Sequence, residues 1–280
     1  PPRARGGTRG AERAQPAPLS VRPPSPESVR YPGPWTHRAV SANGIRLHVA
    51  ECGDGPLVVL LHGFPEFWYA WRHQLVGLAE RGYRAVAVDL RGYGDSDKPP
   101  RGYDLWTLAG DVAGLVPALG EDRAAIVGHG WGGVVGWTAA ALHPRRVPAP
   151  GTRAAPPPFA PPPARAREPP GQGRALVAVA GFQVPWWPER VLRVGDGVER
   201  FLRARAGAEW AATEDFRDVV ARCRAAARIP GVAYCAMEYY RWAVRSQLRA
   251  EGRRFAAAVA LPAEVPVLGV HGADDPWLLA

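Results

Sequence analysis

The chain has 280 residues, a formal net charge of +9 and a hydrophobic fraction of 47%, which allows one large α/β core with a smaller inserted unit and excludes a wholly disordered or fibrous polypeptide. Only Lys98 among the 35 basic residues is a lysine, and no arginine cluster is interleaved with aromatics on one element, so the charge does not mark a nucleic-acid partner. Cys52, Cys223 and Cys235 are too few and too widely spaced for a disulfide framework or a metal site. No apolar run approaches the roughly 18 residues of a membrane span. No metal, cofactor, nucleic acid or membrane is therefore expected, and a reducing, cytoplasmic setting is.

Residues 1–35 are rich in Arg, Pro, Gly and Ser with few bulky apolar side chains, a composition that predicts a disordered tail. Arg38 to Val40 and Ile45 to Ala50 flank Asn43-Gly44, a two-residue hairpin signal that predicts two antiparallel strands. Leu57 to Leu61 is continuously apolar, as in a strand buried on both faces. A helix follows over Trp68 to Glu80, then a strand over Tyr83 to Asp89, a loop carrying Asp95 and Asp97 in solvent, and a helix over Leu105 to Leu119 distorted near Pro117. Alternation of strands and helices predicts a doubly wound, mostly parallel sheet.

Ala125 to Gly136 then gives a short apolar run, a glycine-dense turn and a run of small and apolar residues, which predicts a strand, a tight elbow and a helix. Gly128-x-Gly130-x-x-Gly133 also fits a dinucleotide fingerprint, but that needs an acidic residue about 20 positions on, and none lies between Gly133 and Glu168. Gly128-x-Gly130-x-Gly132 fits a nucleophile elbow, whose central side chain is thrust out above the sheet. Here that position is Gly130.

Ten prolines between Pro148 and Pro170 argue against a central strand, because proline lacks the ladder donor. Residues 148–175 are accordingly expected to be irregular. Helical patterns around Val191 to Ala204, Thr213 to Ala227 and Ala233 to Leu248 make a helical unit of residues 176–260, and Leu268 to His271 reads as a late strand.

His62-Gly63-Phe64-Pro65-Glu66, Asp89-Leu90-Arg91-Gly92-Tyr93-Gly94-Asp95-Ser96 and Gly128-His129-x-Trp131-Gly132-Gly133 occur in that order. Together they resemble the epoxide hydrolase and haloalkane dehalogenase branch of the α/β-hydrolase superfamily, most closely the epoxide hydrolases, over about Thr36 to Pro276. The resemblance implies an α/β-hydrolase fold in which residues 36–147 and 261–280 form the core and 176–260 a helical cap, with the C-terminal strand and helix of the fold missing. It also implies a small apolar, epoxide-like substrate, opened by an aspartate to an ester that a histidine-activated water hydrolyses.

Residue by residue, the resemblance places the nucleophile position at Gly130, which is vacant, and the oxyanion-hole donors at the backbone N–H groups of Phe64 and Trp131. Asp275 falls at the acid that orients the catalytic histidine, with neighbouring Asp274 one register away. Tyr240 matches a cap tyrosine that hydrogen-bonds the epoxide oxygen; Tyr239 lies about 100° away on the same helix. A second cap tyrosine is not evident near Ala178 to Phe182, and the histidine is expected in a Gly-His segment later than Asp275. Two functional expectations stand: an epoxide hydrolase-like enzyme impaired by Gly130 at the nucleophile position and by the lack of a histidine after Asp275, and a non-catalytic protein that binds an apolar small molecule in the retained pocket.

Overall fold

Leu57 to Leu61 is buried at all five positions, as a continuously apolar run requires, and the sheet is built outward from it. A computed structural model describes residues 22–153, 179–260, 265–270 and 272. Its seven strands are β1 (Thr36–Ala42), β2 (Ile45–Cys52), β3 (Leu57–Leu61), β4 (Arg84–Val88), β5 (Ala125–His129), β6 (Ala149–Arg153) and β7 (Leu268–Val270). They lie in the order β1-β2-β4-β3-β5-β6-β7. The hairpin β1–β2 is antiparallel through the Asn43-Gly44 turn, β2 meets β4 antiparallel, and the remaining pairs are parallel.

Helices α1 (Arg72–Ala79), α2 (Leu105–Ala118) and α3 (Trp131–Leu142) belong to the sheet layer. Asp104 caps α2 by accepting the Thr107 N–H at 2.9 Å, and the helix runs through Pro117 into its last turn. Asp89, buried at the end of β4, takes hydrogen bonds from His48 Nδ1 at 2.7 Å and from the backbone N–H groups of Trp68 and Asp95. Burial alone raises the Asp89 carboxyl; the His48 contact outweighs it and holds the group below the usual range.

Residues 179–260 carry α4 (Trp187–Arg193), α5 (Gly197–Arg203), α6 (Ala208–Ala211), α7 (Glu214–Ala227), α8 (Val232–Gln247) and α9 (Ala250–Val259). The single helix expected over Val191 to Ala204 is two, broken where Gly195 takes a φ of 89°. Helix α7 is tied to the sheet layer. Arg72 and the Trp210 indole donate to Asp215, Tyr69 donates to Asp218 at 2.9 Å, and the Arg222 guanidinium sits 3.9 Å over the Tyr31 ring. Among the described residues no helix is long and apolar enough to cross a membrane, and no cluster of three His, Cys, Asp or Glu side chains is placed to hold a metal ion.

Three expectations are corrected. The proline-rich stretch opens with a strand: β6 pairs with β5 on one side and β7 on the other. Pro150 stands in register with Ile126 of β5 and one position ahead of the first β7 rung at Gly151. The tail is ordered well before residue 35. Pro26–Val29 form a 3-10 turn, Val29 is fully buried, and its carbonyl accepts the Trp68 indole N–H at 2.9 Å; a few apolar residues find a core that average composition conceals. Asp95 is not in solvent but 2% exposed, ion-paired to Arg30 at 2.6 Å and Arg46 at 3.2 Å. Residues 1–21 and 154–178 lie outside the described residues, as do His271 and residues 273–280.

Two measurements check this packing. Val29→Ala removes two buried methyl groups and should destabilise the protein by roughly 1–2 kcal/mol in urea unfolding, whereas a disordered tail would give no change. At Asp215, burial raises the carboxyl but the Arg72 and Trp210 hydrogen bonds outweigh it and hold it at about 2. A folded value below the unfolded one, roughly 3.9, gives stability that is present above pH 4 and is lost as pH falls towards 2. Asp215→Asn should therefore lower stability by about 0.5–1 kcal/mol at neutral pH, the range of a partly exposed pair, and by progressively less below pH 4.

Candidate active site

Strands β3 and β5 are parallel neighbours with Leu61 opposite Gly128, so the loops that leave their carboxyl ends emerge side by side. The chain passes from β3 to β4 on one flank and then to β5 on the other, which makes this the switch point where doubly wound sheets form a crevice. The two loops are pressed together backbone to backbone. A Cβ on Gly128 would lie 2.3 Å from the Gly132 carbonyl oxygen, and one on Gly132 would lie 2.1 Å from that of Leu61. Only glycine fits at either position.

Gly130 is different. It holds φ 53° and ψ −119° at the start of α3, yet a Cβ there would meet only the Gly63 Cα, at an ordinary 3.7 Å. The elbow geometry is thus intact, with room for a side chain at its apex, and the residue there supplies none. Sterics account for Gly128 and Gly132; they do not account for Gly130.

Phe64 follows the Gly63 contact point, and Trp131 is the first residue of α3, where backbone N–H groups have no intrahelical acceptor. Tyr240 joins the two. Its ring centroid is 5.2 Å from Phe64, 5.1 Å from Trp131 and 4.8 Å from Phe182. Burial pushes its phenol up to about 12, although a hydrogen bond with the Trp131 side chain acts in the opposite sense, so it stays protonated and able to donate. Tyr239 is fully buried and donates to the Arg91 carbonyl at 2.7 Å. The 100° between the two tyrosines on α8 separates a residue at the crevice from one in the core.

Beside the elbow a cavity of about 440 Å³ opens between the sheet layer and the cap, lined by Phe64, Glu66, His129, Leu202, Trp210 and Asp215 among others. Glu66 Oε2 lies 3.0 Å from His129 Nδ1. Burial drives the Glu66 carboxyl up, but the His129 contact outweighs it and the group is held below the usual carboxylate range. The cavity wall therefore combines apolar surface with two tightly held carboxylates, Glu66 and Asp215.

Gly130, Phe64, Trp131 and Tyr240 are brought together at one crevice; Asp274 and Asp275 lie outside the described residues. Glu66 and His129, each met in the sequence only as part of a motif, form a pair facing the cavity. Sixty-three positions separate them, and no local periodicity signals such a contact. The Tyr93 hydroxyl, buried and without a hydrogen-bond partner, also went unmarked; its ring packs edge-on to His62 and Tyr239.

Comparison with known proteins agrees with this geometry. A family model described as the alpha/beta hydrolase fold matches residues 56–277. Epoxide hydrolase 2 of Siraitia grosvenorii is 50% identical over 113 residues, covering 40% of this chain and 36% of that protein. Epoxide hydrolase B of Mycobacterium tuberculosis is 52% identical over 116 residues, 39% of this chain and 33% of that one. These matched stretches span about a third of the curated relatives' length. Among solved structures, an epoxide hydrolase of Vigna radiata superposes with a TM-score of 0.67 at 31% identity, covering 85% of this chain and 80% of that one. Epoxide hydrolase A of Mycobacterium thermoresistibile gives 0.67 at 30% identity, with 85% and 82% covered. A chain with this elbow at this switch point, matched by the family model over most of its length, belongs to the α/β-hydrolase fold family, and it is an epoxide hydrolase-like member of it.

Proposed function

We propose that the chain is an epoxide hydrolase scaffold that receives small apolar epoxides but does not form the covalent ester on which hydrolysis depends. The observation that carries this reading is Gly130, at an open elbow apex with no side chain to attack. In the relatives' chemistry a carboxylate oxygen bonds to a ring carbon, the carbon–oxygen bond of the epoxide breaks, and the alkoxide takes a proton from a nearby acid. Tyr240 is suited to the last step, because burial keeps its phenol protonated and its ring lies against Phe64 and Trp131. The backbone N–H groups of Phe64 and Trp131 would stabilise the oxyanion of ester hydrolysis and do not depend on side-chain identity. Asp275 would orient the histidine that activates water. The electron pair that starts the sequence has no source at Gly130.

Glycine at this position also has a structural consequence. A non-glycine residue held at φ 53° and ψ −119° costs of order 1–3 kcal/mol, a strain that Gly130 avoids. A second reading, a non-catalytic binder of apolar molecules, is favoured by the same vacancy together with the retained cavity.

In the full-length protein, Gly130→Asp should create turnover of a styrene-oxide-like substrate and a mass-detectable ester adduct, while lowering stability by about 1–3 kcal/mol. Turnover or an adduct in the unaltered protein would overturn the proposal. In that Gly130→Asp background, Tyr240→Phe should cut kcat by about 10²-fold or more. Tyr239→Phe should instead cost roughly 1 kcal/mol of stability through the lost Arg91 hydrogen bond and leave kcat within a few-fold.

A further inference from the structure

A second cavity, of about 630 Å³, lies on the cap between α4 and α8 and shares no lining residue with the crevice. Trp186 caps the N-terminus of α4, Arg190 and Arg193 lie one turn apart along it, and all three line the cavity with Tyr234 and Arg241 of α8. Trp186 is 72% exposed and Tyr234 45%, so two aromatic faces are presented to solvent at one groove.

The groove is polar in a directed way. Arg241 is 4% exposed; it pairs with Glu189 at 2.7 Å and with Glu238 at 3.1 Å and donates to the Val184 carbonyl. Its Nε–H and the second Glu189 oxygen nonetheless have no hydrogen-bond partner, and such buried orphans are rare in folded proteins. Arg190 and Arg193, both exposed, have no carboxylate partner among the described residues, so the rim is positively charged. Trp186 also takes a left-handed backbone at φ 54°, a conformation that costs a non-glycine residue of order 1–3 kcal/mol and clusters at ligand clamps. At its exposure, little burial offsets that strain.

We infer that this groove binds a planar aromatic carboxylate, its ring against Trp186 and Tyr234 and its charge against Arg190 and Arg193, above Arg241. Cationic ligands are disfavoured by the rim. A flat lipid surface does not reach the floor of a concave groove where Arg241 and Glu189 leave their bonds unmade. The site is independent of Gly130, and so of whether the crevice turns over epoxides.

The test uses 6-fluoro-2-naphthoate and its neutral counterpart 6-fluoro-2-naphthalenemethanol, titrated into the full-length protein by fluorine NMR. The carboxylate should bind at least about tenfold tighter than the alcohol. Trp186→Ala and the double variant Arg190→Gln/Arg193→Gln should each weaken it about tenfold or more, with thermal unfolding unchanged. Equal affinity for acid and alcohol, or variants that bind as well as the parent, would overturn the proposal. So would Trp186-dependent binding to phosphatidylglycerol vesicles without binding of the naphthoate, which would make this face a lipid-contacting one.

Discussion

The close backbone contact between the loops after β3 and β5 is the constraint on which the rest of the site depends. Leu61 and Gly128 are register partners, and the turn that follows is tight enough that Gly128 and Gly132 have no space for a Cβ. Because that contact is backbone to backbone, it fixes the N-terminus of α3 against Gly63 and Phe64 without depending on any functional side chain. The shape of the elbow therefore does not depend on a side chain at Gly130.

The cap is held over this floor by a different kind of interaction. Asp215 and Asp218 of α7 reach Arg72 and Tyr69, while Arg222 stacks on Tyr31. These are partly exposed ties of modest individual strength, whereas the sheet beneath rests on fully buried Val and Leu. The cavity lies at the boundary between a rigid layer and a more weakly fastened one, the arrangement expected where small molecules must pass in and out. Tyr240 belongs to the cap but packs on Phe64 and Trp131 of the floor, so the two layers meet at its ring.

Gly130 sets stability against chemistry. A residue at the elbow apex is strained unless it is glycine, and a glycine there has nothing to offer a substrate. The same logic, read the other way, marks Trp186, where a bulky residue does occupy a left-handed position and packing alone gives no account of why.

The order of apolar runs and glycine turns determined the parallel sheet and the elbow, because each rests on local spacing, while the motifs around His62, Asp89 and Gly128 carried the family resemblance that singled out Gly130, Phe64, Trp131 and Tyr240. The sequence also showed that Tyr239 and Tyr240 cannot face the same way. It did not show that Glu66 pairs with His129, that Asp95 is buried between Arg30 and Arg46, or that Val29 and Tyr31 pack on the core, because each pairing joins residues many positions apart. Nor did proline content forecast β6, in which Pro150 stands in register with Ile126. Local stereochemistry is written in neighbouring residues, whereas burial and charge pairing are decided only when the folded chain brings distant segments to the same place.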